Sequence, residues 1–275
     1  MGRHFTQQMT KGFTIIETML VLAITGLLVA GMLAGLGSSI GVQRYKDSVA
    51  TLKSQLQAEY SQIDNVTNGR DASWTCGLTA TPAQGGSGGK QPGQTDCVLL
   101  GRYTAIVGSE MTTASVIGYE NSTALGVNDV ATIKSNYTLG ISDDTITQSL
   151  LEWGSAIAWP VSGPDAKPAG TSRSIAILML RSPNSGTSYT FTSDTVTDIS
   201  SVSSTTLQNM MVVGPTVPGQ KRQTICIDPN GIIVPEKIAI YINEAANGPS
   251  SIESRTNATT DALEVDQATT LRSKC

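Results

Sequence analysis

Glu17 is the only charged residue between Lys11 and Arg44, and it stands at the head of an apolar run. Thr18 to Val42 is twenty-five residues without an ionisable side chain, and at about 1.5 Å per residue a helix of that length crosses a hydrocarbon core. An ionised carboxylate there costs at least ~2.5–3.5 kcal/mol on permissive insertion scales, so it persists where a partner or a function offsets the cost. The chemistry on offer is neutralisation by a cation. Cleavage of the bond between Gly12 and Phe13 would expose an amine four residues before Glu17, close to the membrane surface and able to neutralise the carboxylate of a neighbouring copy.

The cysteines supply a second chemistry. Cys76, Cys97, Cys226 and Cys275 form an even set absent from the apolar run, which reads as disulfides formed in an oxidising, extracytoplasmic setting. Four cysteines allow three pairings. The sequence-adjacent one, Cys76 with Cys97 and Cys226 with Cys275, is preferred, and a bridge at Cys275 would pin an end that otherwise frays. A metal reading is weaker because the chain has no Cys-x-x-Cys pair.

The block Lys11-Gly12-Phe13-Thr14-Ile15-Ile16-Glu17 resembles the type IV prepilin signature: a basic residue, a small residue, Phe, and Glu as the fifth residue of the processed chain. This resemblance covers residues 1–65 or so. It implies that a prepilin peptidase cuts after Gly12 and removes residues 1–12 as a leader, that Phe13 is N-methylated, and that the processed subunit polymerises. Glu17 would then meet the Phe13 amine of an adjacent subunit, while Ile15, Ile16, Leu20, Leu22 and Leu27 pack in the filament core. The implied partners are other pilins in a homo- or hetero-oligomeric filament, the peptidase and assembly machinery, and the cytoplasmic membrane before assembly. The implied location is a single pass with the head outside, followed by an extracellular pilus.

Other readings of the N-terminus explain less. A secretory signal would be cut behind the apolar stretch, after small residues, and Gln43-Arg44-Tyr45-Lys46 is a poor exit site. A plain single-pass anchor accounts for the length but not for Glu17. Lipobox attachment is excluded, since the first cysteine is Cys76. Loop charge does not orient the span, because Arg3 and Lys11 precede it while Arg44, Lys46 and Lys53 follow.

The sole histidine, His4, lies in the expected leader, so histidine-dependent hydrolysis and histidine-ligated zinc have no residue to use in the processed chain. No catalysis and no cofactor are expected. Asp143, Asp144, Asp194, Asp198 and Glu236 sit beside Ser, Thr and Pro as solvated acids. The stretch Gly85-Gly86-Ser87-Gly88-Gly89-Lys90 is not a phosphate-binding Gly-x-x-x-x-Gly-Lys-Ser/Thr motif and reads as a loop tip. Without the leader the chain keeps sixteen basic residues against twenty-two acids, a formal −6 before termini, which disfavours broad nucleic-acid binding.

These groups need elements to hold them. Tyr45, Val49, Leu52, Leu56, Tyr60 and Ile63 recur at spacings of four, three, four, four and three, while Arg44, Lys46, Asp47, Lys53, Gln55 and Glu59 fill the other faces. One helix is therefore expected from about Thr14 to about Asn65, some 75 Å long. Residues 13–42 would be its lipid or filament-core half and 43–66 an amphipathic half laid on the head. Gly31-x-x-x-Gly35 and Gly37-x-x-x-Gly41 give small-residue spacing for close helix approach.

Residues 67–275 change period and read as a β-rich head with disulfide-closed loops. Strands are expected at Cys97–Val107, Ala114–Tyr119, Ala131–Leu139, Ile157–Val161, Ser174–Arg181, Ser188–Thr192, Met210–Val213, Thr224–Ile227, Ile232–Val234 and Lys237–Ile242. Ile146–Trp153 reads as a short helix, and 247–274 as a polar tail. Ser182–Gly186 and Asp228–Gly231 read as hairpin turns, the second similar to the C-terminal hairpin of FimT/GspH-like minor pilins and pseudopilins. The fold class is α+β, a long N-terminal helix packed on an antiparallel sheet. At 275 residues the precursor is longer than most shaft-forming pilins, favouring a minor or specialised pilin. A major pilin, a minor pseudopilin of type II secretion and a non-polymerising membrane-anchored adhesin stand as alternatives.

Overall fold

The computed structural model describes residues 12, 14–65, 74–84, 96–124, 126, 128–163, 165–211, 222–243, 246–256 and 274–275. A single helix α1, Ile15–Asp64, opens the chain without interruption. Its glycines do not break it: a fifty-residue ladder of backbone bonds absorbs the roughly 0.8–1.0 kcal/mol that each costs relative to alanine. Arg181 Nη1 donates to the Asp64 carbonyl at 3.2 Å and so satisfies one acceptor at the helix end.

The head holds two antiparallel sheets. Five strands order as β5 (Tyr137–Leu150), β4 (Glu110–Glu120), β3 (Cys97–Val107), β7 (Ser174–Arg181) and β8 (Ser188–Ser193). The other four order as β11 (Ile252–Thr256), β10 (Ile238–Ile242), β9 (Gln223–Asp228) and β6 (Ala156–Ala158), and a separate hairpin pairs β1 (Trp74–Cys76) with β2 (Pro82–Gln84). Strand β7 is an unbroken apolar run because both its faces are covered. Ile175, Ile177 and Met179 join the core under α1, while Ala176, Leu178 and Leu180 join a second core on the opposite face. Helices α2 (Asp129–Asn136) and α3 (Ser204–Met210) close that second core through Val130, Ile133, Leu207 and Met210. At Gly101, where β3 shifts register, a Cβ would lie 1.9 Å from the Met179 carbonyl, so only glycine lets β3 approach β7 there.

The first core is built around α1. Tyr45, Val49, Leu52, Leu56, Tyr60 and Ile63 are all buried, facing Ile106, Ile177, Ile225, Ile227, Ile240 and Ile242 from both sheets. Each such side chain contributes about 1.5–3 kcal/mol of gross burial energy, which binds the helix to the head. Polar contacts set the register of that packing. The Tyr45 hydroxyl accepts from the Ile238 amide at 2.7 Å, the Tyr60 hydroxyl lies 2.6 Å from Thr190 Oγ1, and Gln57 Nε2 donates to the Pro249 carbonyl at 2.9 Å.

Glu59, expected on a face other than the apolar stripe, is drawn into the head. It is buried under β3, where Arg102 Nε donates to its carboxylate at 2.6 Å. The same guanidinium donates to Ser115 Oγ at 2.9 Å and Thr113 Oγ1 at 3.0 Å, so the charge is hydrogen-bonded on three sides.

Several strand boundaries also differ from expectation. Ala131–Leu139 is not a strand: Asn128 caps α2 by accepting from the Ala131 amide at 2.8 Å, and β5 begins only at Tyr137. Ile146–Trp153 is the end of β5 and a 3₁₀ turn at Glu152–Gly154, not a helix. Met210 ends α3, with Val212 and Val213 outside the described residues. Ile232–Val234 is irregular, so the turn at Asp228–Gly231 leads by a longer loop to β10. Ile252–Thr256, expected within a polar tail, is the edge strand β11. The Ser182–Gly186 turn does join β7 to β8.

Removing one partner of the buried pair leaves the other uncompensated, at a cost of about 3–5 kcal/mol. Glu59→Gln is expected to lower the melting temperature of the detergent-solubilised chain by about 10 °C, and Glu59→Leu combined with Arg102→Met to recover most of the loss. Melting followed by circular dichroism decides it, since a Glu59→Gln shift within a degree or two of the parent denies the pair any such role.

Burial pushes the Tyr60 phenol up to about 12, against which the Thr190 hydrogen bond acts only partly, and burial raises Tyr45 and Tyr103 as well. An unfolded tyrosine ionises near 10. A raised folded-state value means stability that is whole below pH ~10 and drains away between about 10 and 12. Base titration should therefore unfold the head in that window, and Tyr60→Phe should shallow the pH dependence of stability measured from pH 9 to 12.

Candidate functional site

The first turn of α1 gathers the expected site residues. Thr14 is the N-cap, with an extended backbone (φ −77°, ψ 151°), and its hydroxyl accepts from the Glu17 amide at 3.2 Å. Thr14-Ile15-Ile16-Glu17 has the Thr-x-x-Glu spacing of a capping box, in which the acid would reciprocate by accepting the cap amide. No partner to the Glu17 carboxylate exists among the described residues, so only half of the box is made. Sequence reasoning passed over Thr14, although the spacing was there to read. Gly12 is exposed, while Lys11 and Phe13 lie outside the described residues.

Among the described residues, the side chains of α1 behind Glu17 are exposed as far as Ile40. Ile15, Ile16, Leu20, Leu22 and Leu27 are all exposed. The segment is long and apolar enough to cross a membrane, and none of its apolar window is buried in the head. Its two threonine hydroxyls are closed internally: Thr18 Oγ1 donates to the Ile15 carbonyl at 2.9 Å and Thr25 Oγ1 to the Val21 carbonyl at 2.8 Å. Neither group then demands a partner from a surrounding apolar medium.

Of the glycines in this stretch, Gly26, Gly31, Gly35 and Gly37 have nothing within 4 Å of the space a Cβ would fill. Gly41 is different. A Cβ there would lie 2.9 Å from Ile232 Cγ2, so the residue lets the loop after β9 sit against the helix where the head begins.

Two disulfides are present. Cys76 at the end of β1 is bonded to Cys97 at the start of β3, with Cα atoms 5.9 Å apart. Cys226, central in β9, is bonded to Cys275 at a Cα separation of 5.5 Å. The second bond sits in a small core with Ala158, Ala239 and Tyr241 on the outer face of the four-stranded sheet. Backbone bonds from Val161 and Ser162 to Lys274 seat the same end.

Three of the five acids considered for chemistry are engaged by neighbours. Asp194 accepts from buried Arg173 at 2.7 Å, Asp198 caps a 3₁₀ turn by accepting from the Ser200 amide at 2.9 Å, and Asp144 accepts from the Ser142 hydroxyl. Among the described residues, no group of three or more His, Cys, Asp or Glu side chains is placed to hold a metal. Comparison with family models, curated proteins and solved structures finds no match. The reading of the chain therefore rests on its own residues: a long apolar N-terminal helix, half free and half buried, on a disulfide-bonded antiparallel head.

The Cys226–Cys275 bond spans 49 residues and the Cys76–Cys97 bond 21, so chain-entropy loss on cross-linking assigns them about 4 and about 3 kcal/mol. Cys226→Ala with Cys275→Ala should lower the stability of the head in non-reducing urea by the larger amount, and the Cys76, Cys97 double variant by the smaller. Equal stability of both variants and the parent would deny the bonds this part.

Proposed function

We propose that this chain is a filament subunit of the type IV pilin kind, held in the cytoplasmic membrane by residues 13–42 until cleavage after Gly12 lets it assemble. The observation that carries the proposal is one carboxylate, unpartnered among the described residues, on the first turn of an apolar half-helix whose large side chains are exposed from Ile15 to Ile40. A helix packed inside a soluble head would bury that apolar surface, and a simple anchor has no use for the acid. A neighbouring subunit supplies both needs at once. Its apolar half-helix covers Ile15, Ile16, Leu20, Leu22 and Leu27, and its Phe13 amine neutralises Glu17.

Nothing in this scheme calls for chemistry by the head. The head supplies bulk outside the membrane, a rigid seat for α1 and a surface of its own, in keeping with a minor or specialised subunit. The cation for Glu17 appears only after proteolysis, so the order of events follows from electrostatics. Before cleavage the carboxylate is held at the membrane surface. Afterwards it has a charge to meet, and leaving lipid no longer exposes the apolar half.

The expected N-terminus is Phe13 carrying one methyl group, found by mass spectrometry on sheared appendages. A chain that keeps Met1 and is missing from the sheared fraction would be an anchored binding protein, and the filament reading would fall. Glu17→Ala and Glu17→Gln should both insert and be processed, yet enter filaments about tenfold less, as loss of ~1.4 kcal/mol per contact dictates. The Gln variant keeps the geometry of a capping box and loses only the charge. Normal recruitment of that variant would show that charge at position 17 is not what assembly uses.

A further inference from the structure

The base of the head carries a group of side chains that neither core absorbs. Ile233 is 89% exposed and Trp153 53% exposed. The loop that holds Ile233 is fixed: Asn230 and Gly231 turn it with left-handed backbones (φ 50° and 80°), and Ile232 is lodged against Gly41. Ile232 and Ile233 line a groove with Gly37, Ile40, Gly41 and Arg44 of the helix. Across the same base, the Arg44 guanidinium lies 4.7 Å from the centre of the Trp153 ring. No carboxylate pairs with Arg44 among the described residues.

The depth of this group follows from the length of the span. A hydrocarbon core is about 30 Å thick, which is about 20 residues of helix. Counted from Glu17, held at one surface by its charge, the opposite surface falls near Gly37. The outer headgroup layer, about 5–7 Å deep on each side, therefore covers about the next four residues, to Gly41, and a side chain on the following turn, such as Arg44, leans back toward it because helical side chains tilt toward the N-terminus. Ile233 lines the groove along that stretch, and Trp153 stacks on the Arg44 guanidinium at its outer margin. Tryptophan and arginine are the residues that settle at this level, the ring between water and hydrocarbon and the cation on phosphate.

We propose that the base of the head is a lipid-contacting collar, in which Ile233 and Trp153 enter the outer headgroup layer and Arg44 binds lipid phosphate. The collar rests on reading residues 18–42 as a membrane span and is independent of polymerisation. It gives the parked subunit a fixed depth and tilt, since a helix alone can slide and rotate in the bilayer whereas a helix with a lateral foot cannot. It also adds a cost to extraction, because Ile233 and Trp153 must leave the interface when the subunit leaves the membrane.

Fluorescence quenching in vesicles tests it on the full chain. In a Trp74→Phe, Trp159→Phe background, Trp153 is the single emitter, and adding Trp153→Phe together with Ile233→Trp or Leu28→Trp moves the emitter to the loop or to mid-span. Vesicles of phosphatidylethanolamine and phosphatidylglycerol carry quencher either near the lipid carbonyls or deep in the chains. The expected result is at least about twofold quenching of the emitters at 153 and 233 by shallow quencher only, and of the emitter at 28 by deep quencher. Arg44→Glu should weaken shallow quenching at 153. Deep quenching at 28 with none at 153 or 233 overturns the collar and leaves the span standing, whereas no quenching at 28 removes the span itself. Shallow quenching that needs a high protein-to-lipid ratio assigns the patch to a second copy and also overturns the collar.

Discussion

The boundary between Gly41 and Tyr45 divides one continuous helix into an exposed apolar half and a half seated on the head, and the rest of the molecule is arranged around that division. On one side the large apolar side chains from Ile15 to Ile40 are exposed, and on the other the stripe from Tyr45 to Ile63 is buried beneath two sheets. A helix of fifty residues cannot adjust one half without carrying the other. Direction of the apolar half, orientation of the head and direction of the Glu17 carboxylate are therefore set together, by the packing that seats the second half.

That seating relies on more than apolar burial. A stripe of six hydrophobic side chains tolerates rotation or a shift by one turn at modest cost, because one buried methyl resembles another. The ion pair of Glu59 with Arg102 does not, since a shifted register would leave both charges in a dry core without partners. Tyr45 and Gln57 add backbone contacts to β10 and to the loop before β11. Directional bonds at Tyr45 and again at Gln57 and Glu59 thus specify a single placement of the helix on the head.

Much of this was legible in the residues. The helix limits, the strands Cys97–Val107 and Ser174–Arg181 and the turn at Ser182–Gly186 follow from periodicity and turn chemistry that tertiary packing does not contest. The errors have physical causes too. Ala131–Leu139 looked like a strand for its Thr, Ile and Tyr, yet Val130, Ile133 and Asn136 fall at helical spacing behind the Asn128 cap and are buried together. Ile252–Thr256 was hidden because an edge strand with one solvated face is largely polar. Ile232–Val234 looked like a strand because three apolar β-branched residues ordinarily form one, whereas here Ile232 sits against Gly41, Ile233 is exposed and Val234 packs on the first core. Glu59 could not have been placed, since a lone acid on an amphipathic helix is ordinarily in water and its partner lies 43 residues away.

The way α1 lies along the sheets has a mechanical side. A pull directed down the helix axis loads Tyr45, Val49, Leu52, Leu56, Tyr60 and Ile63 in parallel, so rupture demands that they slip together. A sideways pull would meet them one after another, like a zip. The seat of the helix is thus strongest in the direction of its own axis and weakest across it.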